Sequence, residues 1–408
     1  MRVLRAKDEL YVVTNSPDTT QAVADIIEQV RRFGDEAVLS LTERFDRAEL
    51  ASAELRVDLN ELEASVGVLE PAVLAGLRTA ITNVKAVARA QVRDEPATVE
   101  LPEGHTVEVV ERPVRRAAVY VPAGRAPYPS TVVMGAVTAR VAGVEQLVVC
   151  APPGPGGRAN PVILAACVLC EVTEVYRMGG AQAIAALAYG TRTVRPVDVI
   201  VGPGNPYVQE AKRQVVGQVG IDGIAGPSEL VVIASAGAEP ELVALDLMAQ
   251  AEHGRDSPVW CLSPDRSLLD AVADAVDGRG PDGEAKLVET AGIVEALGMA
   301  EGIAPEHLQL MGEEAEALAD RVRNAGCLFI GAGAATAFGD YVAGSNHVLP
   351  TGGAARFASA LSPRTFRRRM ARVSLTDEAA ARLAPHGAAI AQAEGFPVHG
   401  ESMERRRI

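Results

Sequence analysis

Residues 202–253, which begin GPGNPYVQEAKRQVVGQVGIDGIAGPSELVVIA and end QAEH, decide how the rest of this 408-residue chain is read. Glycine and proline crowd the first turn, Gly202-Pro203-Gly204-Asn205-Pro206, and a helical pattern follows over 207–216. A second turn, Ala225-Gly226-Pro227-Ser228-Glu229, leads into a short apolar strand at 230–234. The next helix is expected over 241–253, with Gln250 and His253 in its last turn. Side chains three apart on a helix share one face and can converge on one ion. In isolation such a pair more often sits at a surface or caps a helix.

Strands and helices alternate on both sides of this stretch. Upstream, strands are expected at 117–122, which carries Tyr120, and at 146–151, 175–178 and 197–201, with helices at 129–141, 161–169 and 181–189. Downstream the pattern resumes, with strands at 259–262, 307–310 and 327–330 and helices at 267–276 and 314–324. That spacing predicts an α/β fold with two Rossmann-like parallel sheets, whose ligands collect at the C-terminal ends of the strands. The first third is helical over 16–45 and 59–92, then strand-like over 96–114. After residue 361 a tail is expected, with helices at 364–372 and 377–393. The expected organisation is an N-terminal segment 1–19 and a discontinuous α/β domain of 20–118 and 229–361. A second α/β domain covers 119–228, and the tail covers 362–408. Gly154-Pro-Gly156-Gly157-Arg-Ala159 satisfies a dinucleotide fingerprint by letter. Its prolines and its distance from the next helix spoil the tight turn that fingerprint needs, so it reads as a plain loop. The turns at Gly179-Gly180-Ala181-Gln182 and 202–205 are the better cofactor candidates.

A formal charge of −14 argues against nucleic acid or an anionic membrane as partner. The short clusters Arg367-Arg368-Arg369 and Arg405-Arg406-Arg407 read as solvated or ion-paired faces. No uncharged apolar run is long enough to span a bilayer, and charges interrupt the N-terminus where a secretory signal would be apolar. A cytoplasmic protein is the expectation. Five cysteines lie in apolar segments, and the single CxxC, Cys167 to Cys170, has no second pair to complete a thiolate zinc site. Reduced, structural thiols follow.

Of six histidines, four stand beside other ligands or acids: Gln250-x-x-His253, Glu306-His307, Asp340-x6-His347 and Glu394-x4-His399. Long, widely spaced blocks accompany them: FGDEAVLSLTERFD at 33–46, VYVPAG at 119–124, GGAQAIAALAYGT at 179–191 and APEHL at 304–308. GDYVAGSNHVLPTGGAARF at 339–357 and AEGFPVH at 393–399 complete the series. Together with the opening stretch these closely resemble histidinol dehydrogenase over nearly the whole chain. Ser345 stands where that family usually has Thr, and the segment between Gln250 and Glu306 is somewhat short.

The resemblance implies one zinc per subunit on Gln250, His253, Asp340 and His399, an oxygen and nitrogen donor set that leaves room for substrate. It implies Glu306 and His307 as the catalytic acid–base pair. Substrate contacts fall to Ser228, His347 and Glu394, together with His307 and the four zinc ligands. Tyr120, Gln182 and Asn205 would contact NAD. The tail would cross to the partner in a homodimer, so that Glu394 and His399 complete the other subunit's site. The reaction implied is oxidation of L-histidinol to L-histidine. Two rival readings are a dehydrogenase of the same superfamily acting on another primary alcohol, such as a sulfonated diol, and a catalytically silent metal-binding module.

Overall fold

The computed structural model describes residues 1–5, 19–122, 126–277, 279–281 and 283–407. The expected turn at 123–124 and the start of the expected helical region at 16–18 lie outside these. Chain contacts form two compact units, Met1–Gln91 with Arg115–Phe366 and Val92–Val114 with Arg367–Ile408.

In chain order the strands are β1 (Arg2–Arg5), β2 (Ala97–Glu100), β3 (Thr106–Pro113), β4 (Arg116–Tyr120), β5 (Gln146–Ala151), β6 (Glu174–Arg177) and β7 (Val199–Val201). They continue with β8 (Gly220–Ile221), β9 (Leu230–Ala234), β10 (Val259–Ser263), β11 (Glu284–Glu289), β12 (His307–Met311), β13 (Cys327–Ile330) and β14 (Arg367–Ser374). The first unit holds two sheets, ordered β6-β5-β4-β7-β8 and β1-β11-β10-β9-β12-β13. Every pairing in both is parallel. Setting β1 aside, each runs 3-2-1-4-5 in its own strand sequence, the doubly wound order, with a switch point between its first and fourth strands. The α/β expectation with Rossmann-like sheets is met.

Leu230, Val232 and Ala234 of β9 pack into one core with the helices Pro240–Ala251 and Arg266–Val276. Val231 and Ile233 face a second core with the helix Ile293–Ile303. Coverage on both faces is why the strand reads as a continuous apolar run instead of alternating. Each such leucine, valine or isoleucine contributes about 1.5–3 kcal/mol of burial.

Several expectations are corrected. The helix expected over 59–92 breaks into Leu59–Ala64 and Pro71–Ala90, because the proline starts a new helix at its first position. The helix expected over 314–324 is one turn, Glu313–Glu316, followed by a 3-10 turn, Ala319–Arg321. Strand β11, helix Ile293–Ile303 and the pairing of β1 with β11 were not anticipated.

Of the helix expected over 364–372, residues 364–366 end a 3-10 turn, Pro363–Phe366, and the rest is the strand β14 of the second unit, antiparallel to β3, which pairs in turn with β2. Cross-strand ion pairs explain the difference: Arg369 lies 2.9 Å from Glu111 and Arg372 2.9 Å from Glu108. The helix Asp377–Ala393 follows, capped by Thr376, whose hydroxyl oxygen accepts the Ala379 amide.

Candidate active site

The starts of β9 and β12 are neighbours, with His307 in register with Leu230. Ser228 and Glu229 precede one strand; Glu306 and His307 open the other. The acid–base candidates therefore stand at the N-terminal edge of the six-stranded sheet, not the C-terminal edge that its topology led us to expect. The Glu306 backbone is gripped from both flanks: its amide donates to Glu229 Oε1 at 3.2 Å, and its carbonyl accepts from the Cys327 amide at 2.8 Å. Glu306 Oε2 accepts the Ser228 hydroxyl and, at 3.0 Å, the Glu229 amide.

His307 is buried. Its Nδ1 is 3.2 Å from the Glu229 carbonyl and 3.5 Å from Glu306 Oε2, while Nε2 is 3.8 Å from Asp340 Oδ1. A carbonyl only accepts, so the ring proton resides on Nδ1 and the lone pair on Nε2. Burial works to lower the His307 pKa, but the hydrogen bond and charge of Glu306, with the Asp340 charge, outweigh it and raise it overall. Burial, then the Glu306 charge, pushes Glu229 up to about 7.

Gln250 is on the last turn of the helix Pro240–Ala251; His253 lies beyond it, because the helix ends two residues earlier than expected. Gln250 Nε2 donates to Ser228 Oγ at 2.6 Å, and among the described residues no donor meets its Oε1. His253 Nδ1 faces the Gln250 carbonyl at 3.2 Å, and among the described residues nothing hydrogen-bonds its Nε2. Asp340 belongs to the helix Thr336–Tyr341, which packs against the Gln250 helix. An amide oxygen, an imidazole nitrogen oriented by a backbone carbonyl and a carboxylate suit zinc. Among the described residues no three His, Cys, Asp or Glu side chains cluster to hold a metal. In the implied set one member is an amide, Gln250, and His399 belongs to the second unit.

His347 uses both ring nitrogens within the protein: Nδ1 faces the Asp340 carbonyl at 3.0 Å and Nε2 the Thr131 hydroxyl at 3.3 Å. Burial lowers its pKa. Glu394 caps the end of the helix Asp377–Ala393, and His399 lies in the helix Pro397–Glu404 with its ring 5.3 Å from that of Phe396. Both are exposed.

The cofactor candidates flank the other switch point, at the C-terminal edge of the five-stranded sheet. Tyr120 ends β4, and its hydroxyl oxygen accepts the Gly180 amide at 3.2 Å. Gln182 is buried near the start of the helix Gly180–Tyr189, and its Nε2 has no hydrogen-bond partner among the described residues. Asn205 follows β7 and caps the helix Pro206–Val215, its Oδ1 accepting the Val208 amide at 3.1 Å. Gly202 has φ +119°, and a Cβ there would meet the Tyr120 carbonyl oxygen at 2.1 Å, so only glycine fits. Buried Lys212 donates to the Gly202 carbonyl at 3.0 Å and pairs with Asp222, whose Oδ2 accepts the Gly202 amide at 2.7 Å. Sequence reasoning missed Lys212, Asp222 and Glu229. The available signal was a charged residue inside, or at the mouth of, an apolar pattern.

The model of the family described as histidinol dehydrogenase matches residues 12–407. The chain is 44% identical over 406 residues to histidinol dehydrogenase of Cereibacter sphaeroides, covering 96% of this chain and 93% of that one. It is 42% identical over 407 residues to that of Rhodospirillum rubrum, with the same two coverages, 96% and 93%. The crystal structure of histidinol dehydrogenase from Elizabethkingia anophelis superposes with a TM-score of 0.93 at 31% identity, covering 100% of this chain and 98% of that one. The family-model match and the near-full-length relatives agree: the chain belongs to the histidinol dehydrogenase family.

Proposed function

We propose that the protein is a zinc-dependent, NAD-linked oxidoreductase that carries L-histidinol through L-histidinaldehyde to L-histidine, the last step of histidine biosynthesis. The observation that carries this reading is the buried chain of contacts from Gln250 through Ser228, Glu306 and His307 to Asp340. It joins the acid–base pair to two of the candidate zinc ligands. Gln250 Oε1, His253 Nε2 and the Asp340 carboxylate would hold the metal, with His399 of another subunit as fourth ligand. When bound, zinc supplies a positive anchor for the substrate's nitrogens, and NAD supplies the hydride acceptor, used twice.

The residues do the proton work. His307 Nε2 takes the hydroxyl proton in the alcohol oxidation and again from the hydrated aldehyde. The Asp340 and Glu306 carboxylates favour the imidazolium that each removal creates. Glu306 keeps Oε2 engaged by Ser228 and Glu229, leaving Oε1 to take a proton from the water that attacks the aldehyde. Ser228 and Glu394 hold the substrate's remaining polar groups, His347 joins them by exchanging its Thr131 contact for the substrate, and Tyr120, Gln182 and Asn205 contact NAD. In this reading 119–228 forms one domain, 20–118 with 229–361 another, and 362–408 a tail exchanged in a homodimer. Exposure of Met370, Val373, Ile390, Phe396 and Val398 in the second unit supports a second copy as cover for that surface.

Formation of NADH from histidinol, with and without a chelator, tests the reaction. No NADH from the zinc-loaded protein would refute it. Tail exchange is tested by mixing His307→Asn and His399→Asn subunits after unfolding. Exchange places an unaltered core beside an unaltered tail in each mixed dimer, restoring about a quarter of parent activity, because half of the sites in half of the dimers are whole. A tail serving its own subunit restores none.

A further inference from the structure

We propose that the Glu229 side chain is a positioning group for the Glu306 and His307 pair, holding the start of their strand in register with the start of β9 and with the turn at Gly352. The inference rests on the acid–base reading of that pair. Glu229 is one residue before β9, where Leu230, Val231, Val232, Ile233 and Ala234 are all buried and apolar. Packing alone asks for another apolar side chain there. A carboxylate buried beside a second carboxylate is costly unless its hydrogen bonds give something in return.

The hydrogen bonds of Glu229 converge on the site. Its amide donates to Glu306 Oε2 at 3.0 Å, and its carbonyl accepts the His307 amide at 3.2 Å while facing His307 Nδ1 at the same distance. Its Oε1 accepts the Glu306 amide at 3.2 Å and the Gly352 amide at 3.0 Å. Gly352 and Gly353 both have positive φ, +59° and +77°, and this turn presents amides toward the carboxylate as an anion-binding concavity does. One side chain thus ties the starts of β9 and β12 to the turn after His347. Its backbone amide and Ser228 occupy Glu306 Oε2, which leaves Oε1 as the basic oxygen. Oε1 of Glu229 is committed to backbone amides, so its part is to orient rather than to react.

The test compares Glu229→Ala with Glu229→Gln in the zinc-loaded full-length protein, measuring kcat and KM for histidinol and for histidinaldehyde, with bound zinc and Tm alongside. Glu229→Ala should lower kcat about 10- to 100-fold, the penalty expected when a reacting group is misplaced by about an ångström, with KM and zinc content held within about twofold. Glu229→Gln should recover most of that loss, because its amide oxygen still accepts both backbone amides. A Glu229→Ala kcat within twofold of parent overturns the proposal, as does a Glu229→Gln variant equally impaired. Should the alanine variant fail to fold, Glu229→Asp, which withdraws the acceptor by one methylene, must show the kcat loss; parent-like turnover there also overturns it. His307→Asn serves as control. Full activity in that control sinks the acid–base reading itself, whereas an inactive control beside a parent-like Glu229→Ala sinks only the positioning role.

Discussion

The five-stranded and six-stranded sheets share one strand order, yet they carry their candidate chemistry at opposite edges. In the five-stranded sheet, Tyr120 and Asn205 flank the β4/β7 switch point at the C-terminal edge, where helix N-termini and glycine turns gather. In the six-stranded sheet, Ser228, Glu229, Glu306 and His307 flank the β9/β12 switch point at the N-terminal edge. Both sites use the same place in the strand order. The connection explains the reversal, since residues 202–229 leave the C-terminal edge of one sheet and enter the other at the start of β9. Thr131, in the helix following β4, meets His347 on that same side. A topology rule applied to each sheet alone finds the switch point and misses the edge.

The contrast breaks most decisively at His307. His307→Asn should lower both oxidations about 100- to 10,000-fold, the range for removing a general base, while zinc content stays at parent level. Near-parent turnover would move the chemistry away from the N-terminal edge. Glu306→Gln should act more narrowly, slowing the aldehyde-to-acid step about 100-fold and alcohol oxidation less. If alcohol oxidation alone suffers in rapid-mixing assays, the division of roles is wrong.

At the other edge, Lys212→Met should cost about 3–5 kcal/mol in denaturant unfolding, because Asp222 would remain buried without its cation. It should also raise the KM for NAD as the Gly202 turn loosens. An unchanged KM would make that ion pair a fold element only.

A smaller effect separates two buried glutamates by pH. Burial tends to raise the Glu174 pKa, but hydrogen bonds from Arg116 and Tyr176 and the Arg116 charge overcome it and hold the carboxyl down at about 2. Its stabilisation is present above the ordinary value of 4.5 and lost as pH falls toward 2. Glu229, raised to about 7, contributes stability below 4.5 that is lost as pH rises through 7. Thermal unfolding from pH 5 to 8 should therefore show Glu229→Gln gaining on the parent as pH rises. Glu174→Gln should fall behind the parent from pH 3 to 5. Parallel curves for either variant would refute its assignment. Asn205→Ala should have the smallest effect, about 1 kcal/mol of stability from the lost helix cap. A much larger rise in KM for NAD than that loss explains would sharpen the cofactor role of the C-terminal edge.

Much of this was legible in residue order. Alternating strand and helix patterns, dense turns and buried apolar runs located β4 to β7, β9, β10, β12 and β13. These signals are local, set by backbone preference and by which face a side chain must bury. Residues 364–372 misled because an arginine-rich run has no apolar period, and its strand exists through pairing with β3, about 260 residues away, whose glutamates meet the arginines. The helix before His253 was overextended by two residues for a similar reason: a run without Gly or Pro carries no local stop signal until Gly254.

Residue order alone determined the two βα arrays and the Glu306-His307 dipeptide, because each is written in neighbours along the chain. Tertiary structure decided which sheet edge holds the candidate pair, that Glu229 clasps both of its members, and that His347 Nε2 meets Thr131. Those outcomes depend on hydrogen bonds between segments 77 to 216 residues apart, and no local pattern encodes a partner at that distance.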